Sequence, residues 1–302
     1  MLQVLLSGLA AGAIYGLVAM AFAVVYYVTR VINFATGQLL MIGIMVAAAV
    51  SAAGLPEPLA LAGGVLVATL GGVLIYGVAV RPVLAADRFS FAWLVSTLGM
   101  AIVIQSIAAI IWGPTSRAFP ALLHRDIMFF PGGASLSWQQ IAAIIVATGA
   151  AVAYEVVRRR TLFGKVGMAI SSDPEMARVV GANVTAHSVI AFALGGLLAG
   201  IAGMLVGPIT YANPYLGETY GITGFVALMI GGVENPIAAV GGGFVLGILS
   251  VAANTYIDSQ ASDWFPFVII VVVLLVSPRG LFASGLRWRR SRGGLATAGT
   301  NS

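Results

Sequence analysis

The sequence predicts an all-α polytopic membrane protein: a transmembrane helical bundle of about eight or nine membrane segments, with short or broken helices near 221–253. Three observations predict it. Charged residues are 8% of the 302-residue chain and apolar ones 60%, whereas a soluble domain carries about 25% charged residues. A chain so poor in charge cannot keep a water-facing surface, so its solvent is lipid. Apolar runs of about 20 residues recur along the chain, the length a helix needs to cross a bilayer. The 38 glycines suit bilayer packing, where small residues let helix backbones approach.

The same composition narrows function. The chain has no cysteine, which removes disulfides and thiolate metal sites. His124 and His187 lie in polar stretches and read as solvated side chains. The net charge of +5 forms no basic stripe with interleaved aromatics, so nucleic acid is not an expected partner. The start, Met1-Leu2-Gln3, lacks the basic n-region of a signal peptide, so the first apolar run is expected to be a retained span.

Span one covers about Leu2 to Val28, and Arg30 follows it. Asn33 to Gln38 open a second span that ends near Ala53. Gly54 to Pro58 form a tight turn. A third span runs from Leu59 to Val80, with Arg81, Asp87 and Arg88 in a short polar loop. A fourth covers Phe91 to Trp112. Gly113 to Ser137 is a longer loop punctuated by Pro114, Pro120, Pro131 and Gly132-Gly133. A fifth span goes from Trp138 to Val157. The polar stretch 158–187 intervenes before a sixth, Ser188 to about Val206. Gly207-Pro208 is expected to start a polar, aromatic loop. Gly221 to Gly232 is apolar but short, Glu234-Asn235-Pro236 interrupts it, and Ile237 to Ala253 resumes. Asp258 and Asp263 mark a further turn, and Trp264 to Val276 is the last span.

Positively charged loops face the cytoplasm. Placing Arg30, the 81–88 loop, 158–178 and the tail with Arg279, Arg287, Arg289, Arg290 and Arg292 inside leaves only Arg117 and Arg125 outside, so 13 of 15 Lys and Arg are cytoplasmic. Glu57, Asp126, Glu218, Asp258 and Asp263 then fall outside. This predicts an outside N-terminus and a cytoplasmic C-terminus, which requires an odd number of crossings. One crossing over 221–253 gives eight. Two short tilted spans around a hairpin at Glu234–Pro236, or one re-entrant segment, restore the parity. A gap-free echo pairs 8–43 with 196–231 at an offset of 188. Its segments start on opposite sides of the membrane, as in an inverted repeat.

No nucleophile–base–acid constellation is visible, nor a HExxH, GxSxG or GxxxxGK[ST] motif. Gly164-Lys165 lacks the upstream glycine of a phosphate loop. Glu155 is at helical spacing from Arg158 and Arg159 and reads as an interfacial ion pair. Ion-driven carriers keep ionisable groups inside the bilayer. Only Glu234 is a candidate, at the cytoplasmic edge, so the energy source is expected to be external.

That directs attention to Arg158–His187, the longest polar interruption. After a basic entry, Ser172 or Asp173 can cap a helix whose first turn holds Pro174 and Glu175. Met176, Ala177 and Arg178 continue it, and Gly181 can leave it in the left-handed conformation. Such a helix of about two turns is marginal alone. It reads as a docking surface, with Met176 and Val180 available for contact, or as an ordinary connector.

Three stretches, GLAAGAIYGLVAMAFAVVYYVTRVINFATGQLLMIG at 8–43, RTLFGKVGMAISSDPEMARVVGANV at 160–184 and MIGGVENPIAAVGGGFVLGIL at 229–249, together resemble the permease subunits of branched-chain amino acid ABC importers, the LivH type. The resemblance spans the whole chain. It implies a bacterial inner-membrane permease domain over 1–282 and a basic, disordered cytoplasmic tail over 283–302. It implies a homologous second permease, two cytoplasmic ATPase subunits and an extracytoplasmic substrate-binding protein as partners. ATP and magnesium would sit on the ATPases, with no cofactor on this chain. The coupling helix would be Asp173–Gly181, with Asp173, Pro174, Glu175, Met176, Ala177, Arg178 and Gly181 at the ATPase contact. The cargo would be leucine, isoleucine or valine; urea, short amides or other amino acids are the alternatives, and a stand-alone carrier or channel is a more distant one.

A zwitterion cannot cross hydrocarbon unaided, since its charges lose hydration. A path needs backbone dipoles, hydroxyls or amides, and apolar contact. The candidates are Tyr15, Asn33, Thr36 and Gln38, with Gly12, Gly16 and Gly37 permitting close approach. Tyr211, Asn213 and Tyr220 are candidates for the outer mouth. Membrane-belt tyrosines and packing glycines are the competing readings.

Overall fold

The computed structural model describes residues 1–86, 91–119, 127–130, 134–257 and 261–276. The expectations for Asp87, Arg88, Pro120, His124–Asp126, Pro131–Gly133, Asp258 and the tail beyond Val276 fall outside those residues, as does the side chain of Asp263.

Helices dominate: α1 Leu2–Thr29, α2 Thr36–Ala52, α3 Glu57–Ile75, α4 Arg81–Ala86, α5 Ala92–Trp112, α6 Trp138–Arg160, α7 Leu162–Ser172, α8 Pro174–Val179, α9 Val184–Thr210, α10 Leu216–Gly231, α11 Pro236–Tyr256 and α12 Ala261–Val276. Among the described residues, six helical rods are long and apolar enough to cross a membrane: α1, α3 with α4, α5, α6, α9 and α11. Thr36–Ala52, Leu216–Gly231 and Trp264–Val273 are shorter apolar helices. The protein is a multi-pass membrane protein. The stretch 221–253 resolves into two separate helices, α10 and α11, around a tight connection at Gly232–Asn235.

Several boundaries move for identifiable reasons. The third span runs on for two turns through a π-helical turn at Tyr76–Val80 into α4. Pro82 lies two residues beyond that turn, and a π-turn re-spaces the backbone where the proline ring would clash with the preceding carbonyls. Pro208 does not end the sixth span, because α9 continues to Thr210. A proline in the last turn costs one hydrogen bond and leaves the helical φ intact. The 113–137 loop contains a short antiparallel hairpin, with Ile127 opposite Ser137 and Phe130 opposite Ala134. Ser137 then caps α6 in a reciprocal capping box with Gln140. The basic stretch after α6 holds a further helix, α7, capped by Thr161.

The core is built on two antiparallel helix pairs distant in sequence. Helix α1 runs antiparallel to α11, where Gly8 faces Ile248 and Gly16 faces Val240. Helix α9 runs antiparallel to α3, where Gly196 faces Ala68 and Gly200 faces Val65. Helix α1 is largely buried from Gly8 to Val25, whereas α5 exposes Val95, Ile102, Ile110 and Ile111. An apolar helix buried on all sides is a bundle centre, and one exposing apolar side chains faces lipid. One end of the bundle carries Arg30, Arg158–Arg160, Lys165 and Arg178. We call it the basic end.

Candidate functional site

Helix α1 is about 42 Å long at 1.5 Å per residue and reaches the basic end at Arg30. Arg30 leaves the helix in the left-handed conformation, with φ 59°. The chain then turns back into the bundle. Val31, Asn33, Ala35 and Thr36 are all buried, and Phe34 packs on Phe225 with ring centroids 5.4 Å apart. Phe225 also meets Phe22 at 6.3 Å, about 12 Å back along α1 from Arg30. Helix α2 therefore begins inside the bundle. Irregular backbone at this depth is tolerated only when protein covers it and its polar groups are satisfied. Here Asn33 Oδ1 accepts from the Ala35 N–H at 3.2 Å, and the Thr36 hydroxyl donates to the Asn33 carbonyl at 2.7 Å.

The second half of the chain repeats this elbow. Helix α9 ends at Tyr211, another non-glycine residue with positive φ, 65°. Asn213 Oδ1 accepts from the Tyr215 N–H at 2.8 Å. The Thr36 N–H bonds the Asn33 carbonyl at 3.0 Å, and the Leu216 N–H bonds the Asn213 carbonyl at 3.2 Å. The segments NFATGQ at 33–38 and NPYLGE at 213–218 are thus equivalent, 180 residues apart. They run in opposite directions, since α10 descends beside α1 (Tyr15 with Tyr220, Phe22 with Phe225) while α2 ascends. This is an inverted repeat, in a register different from the 188 offset of the sequence echo.

The two elbows meet. A Cβ on Gly37 would collide with the Gly217 carbonyl and lie 2.7 Å from the Gly221 Cα. Only glycine lets the two helix starts approach so closely. Beside this contact opens a cavity of about 510 Å³ between α2, α5 and α10. Phe22, Phe34 and Phe225 form its apolar wall, and Gln38, Gln105 and Glu218 its polar groups. Gln38 is buried and donates through Nε2 to Gln105 Oε1 at 3.0 Å, while its Oε1 has no partner. An apolar wall with a few convergent polar groups is the character of a small-molecule site.

The sequence-predicted path residues divide. Gln38 lines the cavity. Asn33, Thr36 and Gly37 build the elbow behind it. Tyr15 and Tyr220 pack together at 6.2 Å along a smaller cavity bordered by Gln140 and Ile209. Gly12 and Gly16 face α11, where a Cβ on Gly12 would come 2.7 Å from the Phe244 Cα, so their geometry is that of packing. Tyr211 is exposed. Asn213 Nδ2 donates to Ser116 Oγ at 3.1 Å, at the end opposite the basic one. Glu218, read from sequence as an outside residue, sits in the first turn of α10 on the cavity wall. Phe22, Phe34, Gln105 and Phe225 were not singled out from sequence. The repeated N-x-x-x-G-[QE] spacing is the signal that marks both elbows.

At the basic end, Asp173 caps α8: its Oδ1 accepts from the N–H groups of Glu175 at 2.9 Å and Met176 at 3.0 Å. Pro174 takes the first helical position, and Gly181 leaves with φ 90°. Ala177 is buried, while Met176, Val179 and Val180 project outward at 61%, 80% and 78% exposure. The preceding ion pair forms, with Glu155 held by Arg158 at 2.6 Å and by Arg159. Glu234 lies in the α10–α11 connection and pairs with Arg30 at 3.1 Å. His187 is not simply solvated. It stacks on Phe163 at 4.6 Å in the first turn of α9.

The family model described as the branched-chain amino acid transport system permease component matches residues 4–277. The high-affinity branched-chain amino acid transport permeases LivH of Salmonella typhimurium and of Escherichia coli K12 are each 30% identical over 293 residues, 93% of this chain and 94% of theirs. The corresponding BraD of Pseudomonas aeruginosa is 30% identical, over 93% of this chain and 95% of its own. A family model spanning residues 4–277 and relatives 30% identical over 93% of the chain place it in one family: it belongs to the branched-chain amino acid transport permeases.

Proposed function

We propose that this chain is the membrane-spanning permease subunit of an ATP-driven importer that moves leucine, isoleucine and valine into the cytoplasm. The observation that carries this is the cavity where the two elbows meet. Its three phenylalanines offer an aliphatic side chain apolar contact. The Gln38 and Gln105 amides and the two helix starts offer the dipoles that a zwitterion loses when it leaves water.

The energy comes from outside this chain. Two cytoplasmic ATPases bind ATP and magnesium, and this chain carries no cofactor. One ATPase docks on α8, whose exposed Met176, Val179 and Val180 supply a small apolar face. A homologous second permease completes the path, and an extracytoplasmic binding protein delivers cargo near Tyr211 and Asn213. The basic end is cytoplasmic by the positive-inside bias, which puts the N-terminus outside the inner membrane.

The test is uptake of labelled leucine into proteoliposomes holding this chain, the second permease and the ATPases, with binding protein outside and ATP inside. ATP-dependent uptake suppressed by valine and isoleucine is expected. ATP-dependent uptake suppressed only by urea would replace the cargo. Uptake by this chain alone, without ATP, would overturn the reading.

A further inference from the structure

Three chain reversals converge at the basic end. The first is the exit of α1 at Arg30, which leads through Val31–Ala35 into the cavity-lining start of α2. The second is the break between α7 and α8, just ahead of the Asp173 cap. The third is the α10–α11 connection that holds Glu234. Arg30 touches all three. Its Nη1 pairs with Glu234 Oε1 at 3.1 Å, and its Nη2 donates to the Ser171 carbonyl at 2.8 Å.

The Ser171 carbonyl is available for a physical reason. In an unbroken helix it would accept from residue 175. The chain breaks at Asp173 instead, and the Glu175 N–H turns to the Asp173 side chain. The break thus leaves an orphaned carbonyl, a group that must find another donor, and the Arg30 guanidinium supplies it. A guanidinium presents its donors in a rigid fork, so two acceptors held by one Arg are fixed relative to each other. The backbone is committed too, because Arg30 holds a left-handed φ of 59° that is unfavourable for a side-chain-bearing residue.

We propose that Arg30 is a positioning residue of transport: it ties the break ahead of the docking helix to two of the segments that wall the cavity, those of α2 and α10, and transmits movement of one to the other. This rests on the reading of Asp173–Gly181 as the helix that meets an ATPase. The segment 30–35 leads directly to Gln38, and α10 is a single rod from Glu234's connection to Glu218 and Gly221. A shift of the α7–α8 break therefore acts on the α2 and α10 walls through one side chain. The Arg30–Glu234 pair is largely exposed, at 46% and 75%. Exposed pairs contribute little to stability, which suits a contact remade in each transport cycle.

The test uses the complete transporter with its second permease, ATPases and binding protein. Arg30→Gly removes the tie yet accepts the left-handed backbone. The expected result is an assembled, monodisperse complex that still hydrolyses ATP, with cargo moved per ATP reduced about tenfold, a size typical of couplings between sites. Glu234→Gln, which removes one arm, gives a smaller reduction. Arg30→Lys, which retains the charge toward Glu234, recovers part of the loss. Unchanged cargo per ATP in Arg30→Gly would overturn the proposal. So would loss of the assembled complex in that variant, since the contact would then be structural. Failure of the docking reading is visible separately, as ATPases that still co-purify after deletion of 173–181.

Discussion

The elbows at Asn33–Gln38 and Asn213–Glu218 share a fold and differ in surroundings. Both follow a helix that ends in a positive-φ residue, both turn on an asparagine side chain, and both reach the cavity through a glycine. The first is buried: Asn33, Thr36 and Gln38 are at most 4% exposed. The second opens outward, with Tyr211 and Tyr215 exposed and Asn213 half-buried, its Nδ2 on the Ser116 hydroxyl. The residues just outside differ as well. Arg30 ties its elbow to two other segments, whereas Tyr211 stands beside a single backbone bridge between Ala212 and Arg117. The shared parts are those that make the cavity. The unshared part lies at the end read as driven by ATP.

The largest effect should come from the shared crossing point. Gly37→Leu places a branched side chain against the Gly217 carbonyl, and overpacking of this kind costs about 1–3 kcal/mol or more. Thermal melting of the purified chain in detergent should show a lower midpoint, and uptake should be lost. The two asparagines come next and should separate. Asn33→Ala leaves the buried Ala35 N–H without its acceptor, at about 1–3 kcal/mol. Asn213→Ala removes an equivalent bond from a half-exposed site where water can substitute, so a drop of about 1 kcal/mol or less is expected. Equal shifts in melting would mean that the elbows are equally buried in the working protein. The Asp173→Ala cap removal should cost about 1 kcal/mol of local helix stability, read as faster amide exchange over 174–179 with the global melt unchanged. The smallest effect on stability belongs to Glu234→Gln, under about 1 kcal/mol for an exposed pair, and its melting midpoint should match that of the parent.

Much of the architecture was legible in the sequence. Apolar runs located the long helices of the bundle but not α4 or α7, and the Asp173–Pro174–Glu175 start and Gly181 exit of α8 followed from capping chemistry. The elbows were harder. The echo at offset 188 pairs Leu40–Gly43 with Leu228–Gly231, but these lie in the second turn of α2 and the last turn of α10. Small and apolar residues recur every four positions along these helices, so an alignment can slip by two turns without losing matches. The asparagine turns, which fix the register, contribute too few residues to outweigh that repetition. Gly12 and Gly16 were drawn toward the path by the same ambiguity, since a glycine that admits a ligand and one that admits a neighbouring helix look alike in sequence. Gln105 and Phe225 were invisible because their role depends on which faces α5 and α10 turn inward. The Arg30–Glu234 pair spans 204 residues, a separation that helical spacing does not reach.

In the proposed function, cargo passes through the cavity between the elbows. The chain has no cysteine, so one introduced thiol reports on one place. Ser106→Cys puts it on the cavity wall, and Ile111→Cys, on the opposite side of α5 at a residue 63% exposed, puts it on the outer face. In the assembled transporter, a small charged thiol reagent should modify position 106 and not position 111, and leucine with its binding protein should slow the reaction at 106. Equal labelling at both positions, with no effect of leucine, would place the path elsewhere.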